Sequence, residues 1–188
     1  MVDPDTQLML QFTRGDLLAF RKLVRRNEGI VLNLAYRYLS DHAEAEDVVQ
    51  EVFLKVYGAA ESYQPRAKFT TWVYRITVNV CLNRLRAART RRGVPLDASD
   101  EDEPTLELAE AGAEAPSARL EREELETKVR EAMAKLPGAQ RTAVLLRRFD
   151  ELSYEQIAEV METTVAAVKS LLARARQTLK ALLHKHLG

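Results

Sequence analysis

The chain has 188 residues, of which 30% are charged and 6% aromatic, and its 28 basic and 28 acidic side chains cancel to a formal net charge of zero. That length suits one or two small domains with cores of their own. No apolar run approaches the ~18 residues of a membrane span, and no secretory signal pattern is present, so the expectation is a soluble cytoplasmic protein. The single cysteine, Cys81, excludes an intramolecular disulfide, argues against a cysteine-based zinc site, and reads as a small core residue. Free-standing DNA-binding domains are usually clearly basic, so a neutral chain is expected to bind DNA weakly unless a carrier protein helps it.

Residues 5–13 predict a first helix closed by Gly15. Asp16 can cap a second, with Leu17, Phe20 and Val24 on one side, and helix continues from Ile30 to Leu39. Ser40-Asp41-His42 is a break, with Asp41 and Glu44 as a capping pair. The next helix, His42 to Tyr57 with Gly58 as its stop, is strongly periodic: Ala45, Val48, Val49, Val52, Phe53 and Val56 fall at core spacing. Its outer face carries Glu46, Asp47, Gln50, Glu51 and Leu54. From spacing alone this is a solvated acidic face, with Leu54 among the acids as a hint of a partner.

A loop over Glu61–Lys68 leads into a helix from Phe69, FTTWVYRITVNVCLNRLRAARTRR, with Phe69, Val73, Ile76 and Val80 as its core stripe. Trp72, Tyr74, Arg75, Asn79, Asn83 and an acid-free run of arginines from Arg84 to Arg92 lie beside that stripe. Aromatic rings interleaved with arginine suit single-stranded nucleic acid, where bases stack and phosphates pair with cations. Trp72 as core and the arginines as a solvated helix end fit as well.

Residues 93–118 hold three Pro, two Gly and a block of acids without an aromatic, the composition of a flexible acidic linker. The cluster Asp100–Glu103 has no nearby histidine and no scaffold to make it a metal site. Helix resumes near Leu120, ends at Leu136-Pro137-Gly138, and returns over Ala139–Phe149, where Ala143-Val144-Leu145-Leu146 should be buried.

The segment SYEQIAEVMETTVAAVKSLLARARQTLK, 153–180, reads as two short helices with a tight break. Ser153 and Gln156 form a capping box, Glu162 stands where such turns often hold Gly, and Thr164 can cap the second helix. Val168, Leu171, Leu172, Ala175 and Leu179 make an apolar stripe, while Lys169, Ala173, Arg176 and Lys180 lie on another face. With no acid from Val165 onward, the layout is a helix-turn-helix whose second helix would enter a DNA major groove. An ordinary piece of helical core has the same pattern. The expected architecture is all-α: two small helical domains, 1–92 and 119–188, joined by the tether 93–118.

The order AEDVVQEVFLKVY, FTTWVYRITVNVCLNRLR, then LP…R…AVLLRRFDELSYEQIAEVM…VKSLLARAR resembles bacterial RNA polymerase sigma factors of the extracytoplasmic-function (ECF, group IV) type. The resemblance implies a region-two helical bundle before the linker and a region-four helix-turn-helix after it. It implies that Asp47, Gln50, Glu51 and Leu54 dock on the clamp coiled coil of the polymerase largest subunit. It places −10 promoter DNA at Ser62, Tyr63, Arg66, Lys68, Trp72, Tyr74, Arg75, Asn79 and Asn83, with Asn79 reading a base flipped from the stack. Arg84 and Arg86 would hold phosphates. Lys169, Ser170, Ala173 and Arg174 would lie near base edges of the −35 element, with Arg147 and Arg176 on its phosphates.

Lys169 stands where the family often has Arg, which removes bidentate geometry to guanine, and Thr164, Ala166, Ala167 and Leu171 also depart from the family pattern. The implied partners are core polymerase (clamp and flap), promoter DNA and a cognate anti-sigma factor, including a membrane-bound one that would hold the protein at the inner membrane face. No cofactor, metal or small-molecule substrate is expected. Two other classes remain. A stand-alone helix-turn-helix regulator fits poorly with the zero net charge. An enzyme lacks a nucleophile–base pair, since the only histidines are His42, His184 and His186.

Overall fold

The computed structural model describes residues 3–91 and 116–187, and every regular element among them is helical. These are α1 (Pro4–Phe12), α2 (Leu17–Leu39), α3 (His42–Gly58), a 3-10 turn at Ala60–Ser62, α4 (Phe69–Arg91), α5 (Pro116–Ala134), α6 (Gly138–Arg148), α7 (Tyr154–Val160) and α8 (Val165–Leu187). The all-α expectation holds. The chain divides into two compact units, one built on α1–α4 and the other on α5, α6, α8 and the first part of α7. The expected linker lies outside the described residues except for 116–118, which open α5 about one turn earlier than the sequence pattern suggested.

In the first unit α2 is the central element, packing on α1, α3 and α4. Asp16 starts it, its carboxylate accepting from the N–H of Leu18 at 2.9 Å and of Ala19 at 3.1 Å. Gly15 supplies the left-handed turn before it (φ 97°), a conformation costly for any residue with a Cβ. The helix runs unbroken through Asn27-Glu28-Gly29 because the buried Asn27 amide donates back to Leu23 O at 3.0 Å and across to Asp5 at 3.2 Å.

The core face of α2 is not the expected Leu17–Phe20–Val24 stripe. It passes through Ala19, Leu23, Val31, Leu34, Ala35 and Tyr38, while Leu17 is exposed. Helical contact along the whole length selects the stripe that persists for 23 residues over one that lasts two turns. Phe20 instead joins Phe12 and Tyr57 in an aromatic cluster with centroids 4.6–5.4 Å apart.

α3 packs as its periodicity predicts except at Val49, which is half-buried: Ala45, Val48, Val52, Phe53 and Val56 are buried, the three valines and Phe53 each contributing roughly 1.5–3 kcal/mol. α4 buries a wider face than the expected stripe. Phe69, Thr71, Val73, Tyr74, Thr77, Val78, Val80 and Cys81 are inside, and Ile76 is only half-buried. Packing against α1, α2 and α3 leaves α4 little surface to give solvent along its first half.

In the second unit α8 packs on α5 and α6. Leu136, Ala143, Leu145, Leu146, Val168 and Ala175 are buried in it, with Val144 half-buried at the edge of the expected run.

Candidate nucleic-acid interface

The loop between α3 and α4 folds back on itself. Ser62 Oγ donates to Ala59 O at 3.2 Å, and Arg66 donates from Nε and Nη2 to Gln64 Oε1 at 3.2 and 2.9 Å. Pro65 cannot donate, and the turn around it is closed by Arg66 N donating to Gln64 O at 2.8 Å together with these side-chain bonds. The Tyr63 ring then lies 5.0 Å from Trp72 and 6.5 Å from Phe69, and Phe69 lies 5.8 Å from Trp72. Phe69 is fully buried and anchors the trio, while Trp72 is half-buried and presents one side outward.

Beside Trp72 opens a cleft of about 480 Å³, lined among others by Ser62, Tyr63, Arg66, Trp72 and Arg75. Five positions selected from the sequence, two from α4 and three from the loop, therefore share one concavity. It holds an aromatic face, a hydroxyl and two guanidinium groups, of which that of Arg75 pairs with Glu162 at 2.7 Å; an aromatic face beside cations suits stacking a base and pairing its phosphate. Burial raises the Tyr63 phenol above its ordinary pKa of 10.0; the neighbouring Thr6 hydroxyl acts the other way, and the Asp3 carboxylate adds to the rise.

The remaining positions of that set lie elsewhere. Lys68 is exposed at the loop end, and Asn79, Asn83 and Arg86 are exposed along α4 beyond the cleft, with Arg86 donating to Asn83 at 3.0 Å. Tyr74 is only 8% exposed and faces the core. Its position one residue from Val73 places it within the wide buried face of α4, so its ring is not on the surface that carries the others. Arg84 turns toward α3, 3.2 Å from Glu51 and 3.9 Å from Asp47.

On α3, Asp47, Gln50 and Leu54 project outward, and Leu54 is 72% exposed. Glu51 is half-buried between Lys55, 3.5 Å away, and Arg84. The N-terminus of the helix is capped by Asp41, whose Oδ1 accepts from Glu44 N at 2.9 Å. A large aliphatic side chain ringed by acids on a well-anchored helix is a surface suited to a partner with apolar and basic groups.

In the second unit the capping box is reciprocal: Ser153 N donates to Gln156 Oε1 at 2.8 Å, and Gln156 N donates to Ser153 Oγ at 3.2 Å. Glu162 adopts the left-handed conformation (φ 51°) in the turn, the position the sequence marked for it. Thr164 Oγ1 accepts from Ala167 N at 3.1 Å and starts α8. Lys169, Ser170, Ala173, Arg174 and Arg176 are all exposed on α8, the first four on adjacent turns of one face.

Arg147 is exposed at the end of α6. It donates to Leu152 O at 2.9 Å and lies 5.2 Å from the Tyr154 ring centroid. Lys169 Nζ lies 5.9 Å from the same ring. Tyr154 thus gathers a cation from α6 and one from α8, a role sequence reasoning missed; the only signal was an aromatic directly after the cap. The adjacent Glu155 carboxylate is held below its ordinary pKa by a backbone N–H, then by the Ser153 hydroxyl, with Lys169 adding to the effect.

Among the described residues no group of His, Cys, Asp and Glu could hold a metal ion, and no helix is long and apolar enough to cross a membrane. The acids Asp100–Glu103 lie outside the described residues.

Comparison with known proteins finds two family descriptions in the chain: Sigma-70 region 2 over residues 23–91 and Sigma-70 region 4 over residues 126–179. The RNA polymerase sigma-H factor of Pseudomonas aeruginosa is 40% identical over 183 residues, covering 96% of this chain and 94% of that one. The ECF RNA polymerase sigma-E factors of Haemophilus influenzae and Escherichia coli are 36% and 37% identical, over 94% and 93% of this chain and 93% and 92% of their own. Among solved structures, CnrH in complex with the cytosolic domain of CnrY is similar at a TM-score of 0.67 and 26% identity, covering 97% of this chain and 99% of that one. The sigma factor RpoE of Bartonella quintana, solved with the anti-sigma factor NepR, shares the fold at a TM-score of 0.64 and 22% identity, covering 88% of this chain and 96% of that one.

Proposed function

The chain belongs to the extracytoplasmic-function sigma factors of bacterial RNA polymerase, and from that membership we propose how its surfaces divide the work of transcription initiation. The α1–α4 unit binds core polymerase through Asp47, Gln50, Glu51 and Leu54 of α3, against the clamp of the largest subunit. The same unit opens the −10 element and holds an unstacked base in the cleft beside Trp72. The helix-turn-helix reads the −35 element with the exposed face of α8, supported by Arg147, while the polymerase flap holds this unit in place. Domain limits of 1–92 and 119–188 with an acidic tether between them follow from the same reading.

The observation that carries it is the convergence of Ser62, Tyr63, Arg66, Trp72 and Arg75 on one cleft. Unstacking a base costs a few kcal/mol, and a pocket that stacks and pairs the extruded base returns that energy only for a sequence that fits. Opening and recognition then become a single event. The zero net charge fits a protein whose DNA affinity is supplied largely by the enzyme that carries it.

The protein acts without catalysis of its own, in the cytoplasm at the nucleoid. A cognate anti-sigma factor controls it by covering these surfaces, and a membrane-anchored one would retain it at the inner face of the membrane. The similar protein CnrH was solved with the cytosolic domain of CnrY on it, which supports a partner of this kind.

The test is abortive transcription with purified core polymerase on promoter fragments from the protein's own genome. Initiation should require the protein, weaken with Asn79→Ala, and be lost together with core binding in Gln50→Ala/Glu51→Ala. Polymerase-independent DNA binding with no initiation would refute the reading.

A further inference from the structure

The first turn of α1 precedes the region-two match at residues 23–91, and none of the DNA- or polymerase-facing residues named above comes from it. It contains one buried hydroxyl. Thr6 is 3% exposed; its Oγ1 donates to Asp3 Oδ2 at 3.0 Å and accepts from Phe69 N at 3.2 Å. Phe69 opens α4, and its N–H is one of the donors that a helix start leaves without an intrahelical partner. A side chain 63 residues away in sequence satisfies it.

α1 is itself fixed one residue earlier. The buried Asp5 carboxylate accepts from Asn27 Nδ2 at 3.2 Å and pairs with Arg26, both on α2. The turn is therefore a bracket from the central helix to the start of α4. What it holds is the wall of the cleft: the Phe69 ring supports both Tyr63 and Trp72.

We infer that Thr6 is a positioning residue for promoter opening: its hydroxyl fixes the start of α4 and, through Phe69, the Tyr63–Trp72 wall that receives the unstacked base. The inference rests on the reading of that cleft as the site of base capture. Phe69 has no polar contact with DNA in this scheme, and Thr6 touches none. Both act through the two rings that do.

The experiment uses the full chain with core polymerase and compares Thr6→Val with Thr6→Ser. Valine keeps the shape and removes both hydrogen bonds, while serine restores the hydroxyl. Three quantities are read: permanganate reactivity of thymines in the −10 element, affinity for core polymerase, and acrylamide quenching of the free chain. Trp72 is the only tryptophan, so quenching reports the wall directly.

Thr6→Val should lower the opened fraction roughly tenfold, the size expected when the buried Phe69 N–H is left without its acceptor. Quenching of Trp72 should increase, core affinity should stay within about twofold because the α3 surface is a separate site, and Thr6→Ser should recover both opening and quenching. Asp3→Ala, which leaves Thr6 but removes the acceptor of its hydroxyl together with the cap of α1, should give a smaller fall in the same direction, one that Thr6→Ser in the same chain does not recover, and serves if the valine variant does not fold. Opening by Thr6→Val or Asp3→Ala at the unsubstituted level, or a loss that tracks core affinity and is not recovered by serine, overturns the inference. If the unsubstituted chain opens no promoter, the reading of the cleft fails first and the inference with it.

Discussion

Arg84 Nη2 donates to Glu51 Oε2 at 3.2 Å, so the basic helix α4 and the acidic helix α3 share a charge. With Asp47 3.9 Å from the same guanidinium, Arg84 is already neutralised before any DNA arrives. Arg86, two residues on, is exposed and, among the described residues, bonds through its guanidinium to the neutral amide of Asn83. The two arginines should therefore behave differently. A phosphate contact contributes about one unit to the salt slope of binding. Arg86→Ala should reduce the slope of log affinity against log salt for promoter DNA by about that much. Arg84→Ala should reduce it by clearly less and should instead alter core binding, since it leaves Glu51 paired with Lys55 alone. Holoenzyme–promoter binding across a salt series, with core affinity measured separately, distinguishes them.

Among the described residues the Tyr63 hydroxyl is buried with no partner at ordinary hydrogen-bond geometry, although Thr6 stands beside it. Replacing it with Phe removes a desolvated polar atom and keeps the ring that walls the cleft. Tyr63→Phe should leave stability at neutral pH within about 1 kcal/mol and promoter opening nearly unchanged; Tyr63→Ala should abolish opening. The pH dependence has a defined sign. The folded phenol titrates above the unfolded value of 10.0, so the unfolded chain loses its proton first. Stability is then full below that value and falls as pH rises through the folded pKa. Chemical denaturation on the two sides of pH 10.0 should show a smaller alkaline loss in Tyr63→Phe than in the unsubstituted chain.

The caps were legible in the sequence because they are local. Asp16, Asp41, Ser153 with Gln156, and Thr164 each bond within three residues, so identity and spacing define the contact. The buried faces were less legible. Leu17 and Phe20 stand at helical spacing, yet the core takes Ala19 and Leu23, a choice made by helices distant in sequence. Tyr74 looked like part of an aromatic-basic surface and is inside, because α4 is packed on three neighbours. The loop and α4 positions that line the cleft could be selected by resemblance, but the Thr6–Phe69 bond that braces it spans 63 residues and carries no sequence signature.

Trp72 and Asn79 test how the −10 element is read. Trp72 lines the cleft, whereas Asn79 is exposed on α4 and does not. Loss of one aromatic stacking partner costs ~1–3 kcal/mol and does so for every base, since each has a π-face. Trp72→Ala should thus weaken opening at all −10 sequences by roughly ten- to a hundredfold. Asn79→Ala should instead relax preference at one position, because an amide discriminates by its donor and acceptor. Opening measured on a promoter set substituted at each −10 base separates a uniform loss from a positional one.

Leu54 gives the cleanest test of the polymerase surface. It is exposed and makes no contribution to the core, so removing it should not destabilise the chain by more than about 0.5 kcal/mol. A side chain that anchors the desolvated centre of an interface costs more than about 1 kcal/mol when truncated, whereas most rim contacts cost less. Leu54→Ala should lower core affinity roughly tenfold with an unchanged melting temperature. Unaltered affinity would move the docking site off this face.

Tyr154 joins the two cations that flank the helix-turn-helix, Arg147 at 5.2 Å and Lys169 at 5.9 Å from its ring. A cation over an exposed ring gains ~0.5–1 kcal/mol, enough to select one rotamer of each long side chain without burying either charge. Lys169 lacks the rigid planar fork with which arginine fits guanine, so any contribution it makes to base recognition would depend on where its ammonium is held. Tyr154→Phe keeps the π-face and should bind a −35 duplex as the unsubstituted chain does. Tyr154→Ala should weaken binding and relax preference at the base nearest Lys169, while Lys169→Arg in the same background should not restore it. Ser153→Ala supplies the control for helix stability, since loss of that cap costs ~1 kcal/mol and should lower −35 affinity without changing which base is preferred. A change of preference in the cap variant, or none in Tyr154→Ala, would assign the effect to folding of α7 rather than to the ring.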